Sequence, residues 1–281
     1  MSEPTIALAL GAGGARGLAH ILVLETLDEL GLRPRAIAGA SMGAILGAPY
    51  AAGIPGAALR RHVLSLMKDR ARLMAMLIEA RVGRLVDVFA GFGNPLLVDG
   101  ERLLERTWPE GVPQRFEDLA IPLTVCATDY FGRSEAVFQG GPLRPAVAAS
   151  MAIPGLVKPV RMGERTLIDG GAVNPLPFDH VAGENVCVIA VDVAGGPVPN
   201  PSRGPNPFDL TIGTLQIMQG AIVAAKLAHA APRIVLTPAV LPYRALDFFE
   251  AKAIFAAAEP VKDTLKRELD TVFNAALERS S

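Results

Sequence analysis

Cysteine is nearly absent from this chain of 281 residues: there are two, Cys126 and Cys187. Each lies inside an apolar strand-like run, PLTVCATD and VCVIAVDV, which excludes a disulfide framework and suits small buried side chains in a reducing, cytoplasmic setting. An excess of charge of either sign is missing as well. With 27 basic against 28 acidic residues and a formal net charge of -1, no overall field draws in nucleic acid, and no such partner is expected. The opening MSEPTIALAL lacks a basic leader, carries Glu3, and has too short an apolar part for a signal peptide or a membrane span. Internal repeats are lacking, and no His, Cys or carboxylate group has metal-ligand spacing, so neither a metal nor another cofactor is expected.

What the chain does hold is apolar material, 51% of its residues, enough for one sizeable core. Short continuous apolar runs read as buried strands at TIALAL, AIAGA, PLTVCATD, EAVFQ, TLID, VCVIAVDV and RIVLTP. Segments of helical spacing alternate with them, first Ile21, Leu22, Leu24, Leu27 and Leu30 before Gly31, later an apolar helix from about Asp209 and a closing helix of alternating charge. This alternation predicts α/β architecture: a three-layer α/β/α sandwich with a mostly parallel central sheet, in a single domain spanning 1–281. The loop GGPVPNPSRGPNP reads as a surface connection inside that domain. An Arg- and Met-rich stretch at about 55–98 reads as a helical cover. Within it, Arg60, Arg61, Lys68, Arg70, Arg72, Arg81 and Arg84 alternate with Leu73, Met74, Met76, Leu77 and Ile78. That mixture suits either a mobile cover at 60–97 in peripheral contact with a membrane or a helix on the core with a solvated basic face.

Two glycine-rich stretches follow the first two strands. GASMGA, residues 39–44, places Gly39, Ser41 and Gly43 between a strand and a helix, where small flanking residues let a sharp turn push the serine hydroxyl outward. The bland alternative is a serine N-cap with glycines for close packing. GAGGARGLAH, residues 11–20, ends the neighbouring strand, so backbone N–H groups near Gly13 and Gly14 can point at an oxygen on a carbon attached to Ser41. A dinucleotide fingerprint needs a third glycine where Arg16 stands and an acid at the end of the second strand, where Gly-Ala-Ser stands instead. Arg33 and Arg35 precede that strand and do not repair the pattern. Arg16 can brace the loop through carbonyls or meet a lipid phosphate, and bracing is the expectation.

Together with ASMAIPGLVKPV at 149–160 and DGGAVNPLP at 169–177, these stretches make the chain resemble the bacterial patatin-like phospholipases. Four motifs in the right order cover about two thirds of its length. The resemblance implies a serine acyl hydrolase of phospholipase A, lysophospholipase or esterase type, acting on a lipid or another acyl ester. It implies a dyad of Ser41 as nucleophile and Asp169 as base, an oxyanion loop with Gly13, Gly14 and Arg16, and Gly170 and Gly171 behind the aspartate. Ala12 replaces a glycine found in many relatives. Asp169 also makes chemical sense at the end of TLID, before two glycines that leave its carboxylate accessible. Two other readings are a conventional triad of Ser41, Asp192 and His229, and a lipid-binding regulator without turnover. His20, His62, His180 and His229 are each expected to be structural or exposed. The oligomeric state is not legible.

Overall fold

A computed structural model describes residues 5–80, 97–199 and 204–278. Eight strands form one sheet: β1 (Thr5–Leu10), β2 (Ile37–Ala40), β3 (Leu123–Asp129), β4 (Ser134–Phe138), β5 (Val160–Met162), β6 (Arg165–Asp169), β7 (Val186–Val191) and β8 (Ile234–Leu236). The pairing order is β5-β6-β3-β2-β1-β7-β8, with β4 also on β3. The run β3-β2-β1-β7-β8 is parallel, as expected for strands buried on both faces, whereas β4, β5 and β6 add antiparallel pairs.

The side-chain period of two splits β1 between unequal layers. Ile6, Leu8 and Leu10 enter the larger core, under α1 (His20–Glu29), α2 (Met42–Ala51), α3 (Gly56–Lys68) and, from the C-terminal part, α8 (Ala251–Ala258) and α9 (Val261–Glu278). Ala7 and Ala9 face a thinner layer made by Leu176, Phe178, Val181 and Val223. Alanines there bring the covering segments close to the sheet. Between these helices come α4 (Arg70–Glu79), α5 (Gly100–Thr107), α6 (Leu143–Ser150) and the 23-residue α7 (Pro207–His229).

Of the expected cover, residues 81–96 with Arg81 and Arg84 lie outside the described residues. What is described of α3 is an ordinary amphipathic helix. Leu59 and Val63 are buried, Arg61, Ser65 and Lys68 are exposed, and Arg60 reaches Glu25 at 3.2 Å and stacks over Phe255. That is the core-packed alternative for residues 56–68. Met74 and Ile78 of α4 are exposed.

Candidate active site

The pairing around β3 brings the site together. Ala40, the last residue of β2, pairs with Cys126, and Asp169, the last residue of β6, pairs with the next residue, Ala127. β4 occupies the opposite edge of β3 along 125–129. A strand has two edges, so β6 continues the lane that β2 leaves. Because β2 runs parallel to β3 and β6 antiparallel, their C-terminal ends meet head to head. Ser41 and the Asp169 side chain therefore converge although 128 residues separate them, and Ser41 Oγ donates to Asp169 Oδ2 at 2.7 Å.

Ser41 sits in the turn between β2 and α2 with φ 52 and ψ -118, a conformation that L-residues rarely hold. Two contacts maintain it. A Cβ on Gly43 would run into the Leu10 carbonyl, so only glycine lets α2 start this close to β1. The Ser41 N–H donates to Ser150 Oγ at 2.8 Å, and Ser150 donates onward to the Cys126 carbonyl at 2.6 Å. Ser150 ends α6 and is fully buried, so it ties the elbow to the seam where β2 gives way to β6. Nothing local in ASMAIPGLVKPV marks Ser150 for this role, since its partners stand 109 and 24 residues away.

The other Asp169 oxygen, Oδ1, accepts from Gly171 N at 2.7 Å. Burial lifts the Asp169 carboxyl to about 6, against the opposing pull of its hydrogen bonds from Ser41 and Gly171. The group is ionised at neutral pH yet a stronger base than an exposed aspartate.

The glycine loop lies at the end of β1. Its Gly11 N–H donates to Val191, Ala12 N–H to Pro175 and Ala15 N–H to Ala245, at 2.7 to 3.1 Å. The N–H groups of Gly13 and Gly14 between them find no acceptor among the described residues. His20 holds the start of the loop, Nε2 donating to the Gly11 carbonyl at 2.8 Å, and burial lowers its pKa to about 4, so it is a neutral imidazole at pH 7. Gly14 has φ +59 and backs onto the Ala245 carbonyl.

Arg16 is fully buried beneath this loop. It donates to the carbonyls of Val193 and Tyr243, each at 3.2 Å, and packs flat on Gly195. The Gln216 amide, oriented so that its oxygen meets a donor, accepts from Arg16 at 3.1 Å and donates to the Gly196 carbonyl at 3.1 Å. These contacts are those of a brace.

Asp192 accepts from Ala194 N, and burial raises its pKa. His229 is exposed at the end of α7. Neither is hydrogen-bonded to Ser41. His62 is bonded to the Thr107 carbonyl, whereas His180 contacts Glu135 at 2.9 Å. Ligand-type atoms of Cys126, Glu135 and His180 lie within 4.8 Å of one another, a convergence across three segments that linear spacing could not reveal. The cluster is closed by its own bonds: Asn174 donates to Glu135, and Lys226 to Asn174 and Asp179. It pins the segment after the DGG turn.

The patatin-like phospholipase family model matches residues 8–182. Among curated proteins, an uncharacterized NTE family protein of Mycobacterium tuberculosis is 37% identical over 207 residues, 73% of this chain and 53% of the relative. Patatin-like phospholipase domain-containing protein 6 of Mus musculus is 31% identical over 192 residues, 67% of this chain and 13% of the relative. The chain spans about half the length of three mycobacterial relatives that it matches at 37% identity and 30% of three others. Two solved structures share the fold. VipD from Legionella pneumophila has TM-score 0.50 at 14% identity, over 96% of this chain and 67% of that one. ExoU of Pseudomonas aeruginosa, in complex with SpcU, has TM-score 0.50 at 16% identity, over 96% and 53%. With the four sequence motifs gathered around one buried serine, and the family model spanning well over half its length, the chain belongs to the patatin-like phospholipase family.

Proposed function

We propose that the protein is a serine acyl hydrolase that cleaves carboxylic esters of lipids through Ser41 and Asp169. The observation that carries this reading is the 2.7 Å hydrogen bond from Ser41 Oγ to a buried carboxylate, at a serine held in a strained elbow. In the reaction Ser41 Oγ bonds to the ester carbonyl carbon while its proton passes to Asp169 Oδ2. The carbonyl oxygen becomes an oxyanion, for which Gly13 and Gly14 N–H groups are the open donors. Collapse breaks the bond to the alcohol, which leaves with the proton from Asp169, and water attacks the acyl-serine by the same relay. Arg16 serves by holding the loop. A fluorophosphonate probe should label the wild type and not Ser41→Ala, and Ser41→Ala should lower kcat on p-nitrophenyl butyrate by at least about 10³-fold. His229→Ala should stay within about threefold of wild type. Retained labelling in Ser41→Ala, or abolished turnover in folded His229→Ala, overturns the dyad.

A further inference from the structure

Helix α7 presents an outer face with no charged side chain, unlike a normal surface helix. Its outward stripe runs from Leu210 and Thr214 through Ile217, Met218 and Ala221 to Ala225 and Ala228, all exposed and none charged; Thr211 is exposed beside it with its hydroxyl bonded to the Pro207 carbonyl, and Ile217 and Met218 are each more than half exposed. Both glutamines instead face the protein. Gln216 holds Arg16, and Gln219 stands against Gly171 in the aspartate turn. Both formal charges are committed, Asp209 in the capping box with Asn206 and Lys226 to Asp179 and Asn174. A helix whose outward face is uncharged throughout and apolar from Ile217 to Ala228 is matched to hydrocarbon surroundings. Its mean hydropathy reaches 1.3 over 18 residues, but Val223 is locked into the core against the sheet, so the helix lies along a surface and does not cross it.

The groove beside this face points to the occupant. A cavity of about 810 Å³ opens between α7 and the flanking loops, lined by Pro197, Val198, Phe208, Ile217, Ala245 and Leu246. Ser41 and Asp169 do not line it; it reaches the glycine loop from behind, through Ala245, whose carbonyl accepts from Ala15 N. The apolar face and this groove thus adjoin the machinery that holds the oxyanion loop.

We propose that the outer face of α7 docks the protein on a lipid bilayer by shallow hydrophobic insertion. Because the stripe carries no basic residue, docking needs no anionic headgroup. The basic face of α3 takes no part. What the docking delivers to Ser41 rests on the acyl-hydrolase reading; the docking itself does not.

The test uses the full chain with Ser41→Ala, so that lipid is not consumed, and pure phosphatidylcholine vesicles. The protein should co-sediment with them, and adding phosphatidylglycerol to one fifth of the lipid should change binding less than about threefold. Adding Met218→Glu and Ala221→Glu should weaken binding at least tenfold at an unchanged melting temperature, whereas Arg61→Glu with Lys68→Glu should not. A Met218→Trp protein gives an independent reading, since its added fluorescence should be quenched by brominated phosphatidylcholine. In the catalytically intact chain, the ratio of turnover on vesicle phospholipid to turnover on p-nitrophenyl butyrate should fall at least tenfold with the two glutamates. No ester turnover in the wild type would sink the hydrolase reading and leave the vesicle result standing. Failure to bind phosphatidylcholine, equal binding by the glutamate variant, or a dimer that the glutamates dissociate without altering vesicle binding would each overturn the docking face.

Discussion

Replacing Asp169 by Asn should make the protein more stable and nearly inactive, with the two effects separable by pH. The Asp169 carboxyl is raised from 3.8 to about 6, chiefly by burial. That displacement corresponds to about 3 kcal/mol by which the folded state disfavours the ionised form. The sign follows from proton binding. Between pH 4 and 6 the native state holds more protons at this position than the unfolded chain, so its contribution is fully present at low pH and is lost as pH rises through 6. His20 works in the opposite sense, because its lowered pKa of about 4 gives a contribution present above 6.5 and lost as pH falls toward 4. Asparagine has the same shape and can still accept from Gly171 N through its oxygen, but it carries no charge to bury. At pH 8 Asp169→Asn should therefore gain about 1–3 kcal/mol, or roughly 3–10 °C in Tm for a domain of this size. At pH 4.5 the gain should be smaller by about 2 kcal/mol, and below pH 3.8 the carboxylate should contribute none of it. Its kcat should drop by at least about 10³-fold, while wild-type kcat/KM falls on the acid side with an inflection near 6. Urea denaturation at the two pH values and a pH–rate profile on a soluble ester supply the measurements. A variant that loses stability at pH 8, or a wild-type inflection below about 4.5, would refute the account of a carboxylate charged against its surroundings.

Ser150→Ala should remove the acceptor for Ser41 N and the donor to Cys126 together, lowering kcat about 10- to 100-fold with KM on short esters little changed and costing about 1–3 kcal/mol; a larger effect on KM would show that Ser150 shapes the substrate pocket instead of the elbow. At Ser41, glycine should be more stable than alanine by about 1–2 kcal/mol, because only glycine tolerates φ 52 and ψ -118 without strain, and equal stability of the two would remove the argument for a strained turn.

Elements whose signal is local were legible. β1, β2, β3 and β7 are short buried runs closed by turn residues, and Ser41 and Asp169 stand at the ends of strands that the apolar pattern already delimits. β5 was missed because VRM is three residues with no buried face, defined only by pairing with β6. α7 begins at Pro207, not at about Asp209, since the Asn206 capping box and a proline in the first turn start it. The head-to-head seam of β2 and β6 depends on register along β3, which no local pattern encodes. Ser150, Gln216 and the trio of Cys126, Glu135 and His180 act through contacts tens to hundreds of residues away. Nor could hydropathy distinguish an apolar helix inside the core from one whose apolar side faces outward, because both have the same composition.

The position of β1 bears on how the chain is made. Of the eight strands it is the first to be synthesised, yet it lies in the interior of the sheet, with β2 on one side and Thr5 pairing with Val186 on the other. At typical rates of synthesis, the interval before β7 leaves the ribosome is roughly 10–35 s. For that time β1 and β2 present an apolar strand edge with nothing to cap it, a template for pairing with another nascent chain. The glycine loop must wait equally long, since its backing carbonyls at Val191, Val193 and Ala245 are also late in the sequence. The sheet interior and the glycine loop are thus completed together, and only after the chain has emerged as far as Ala245.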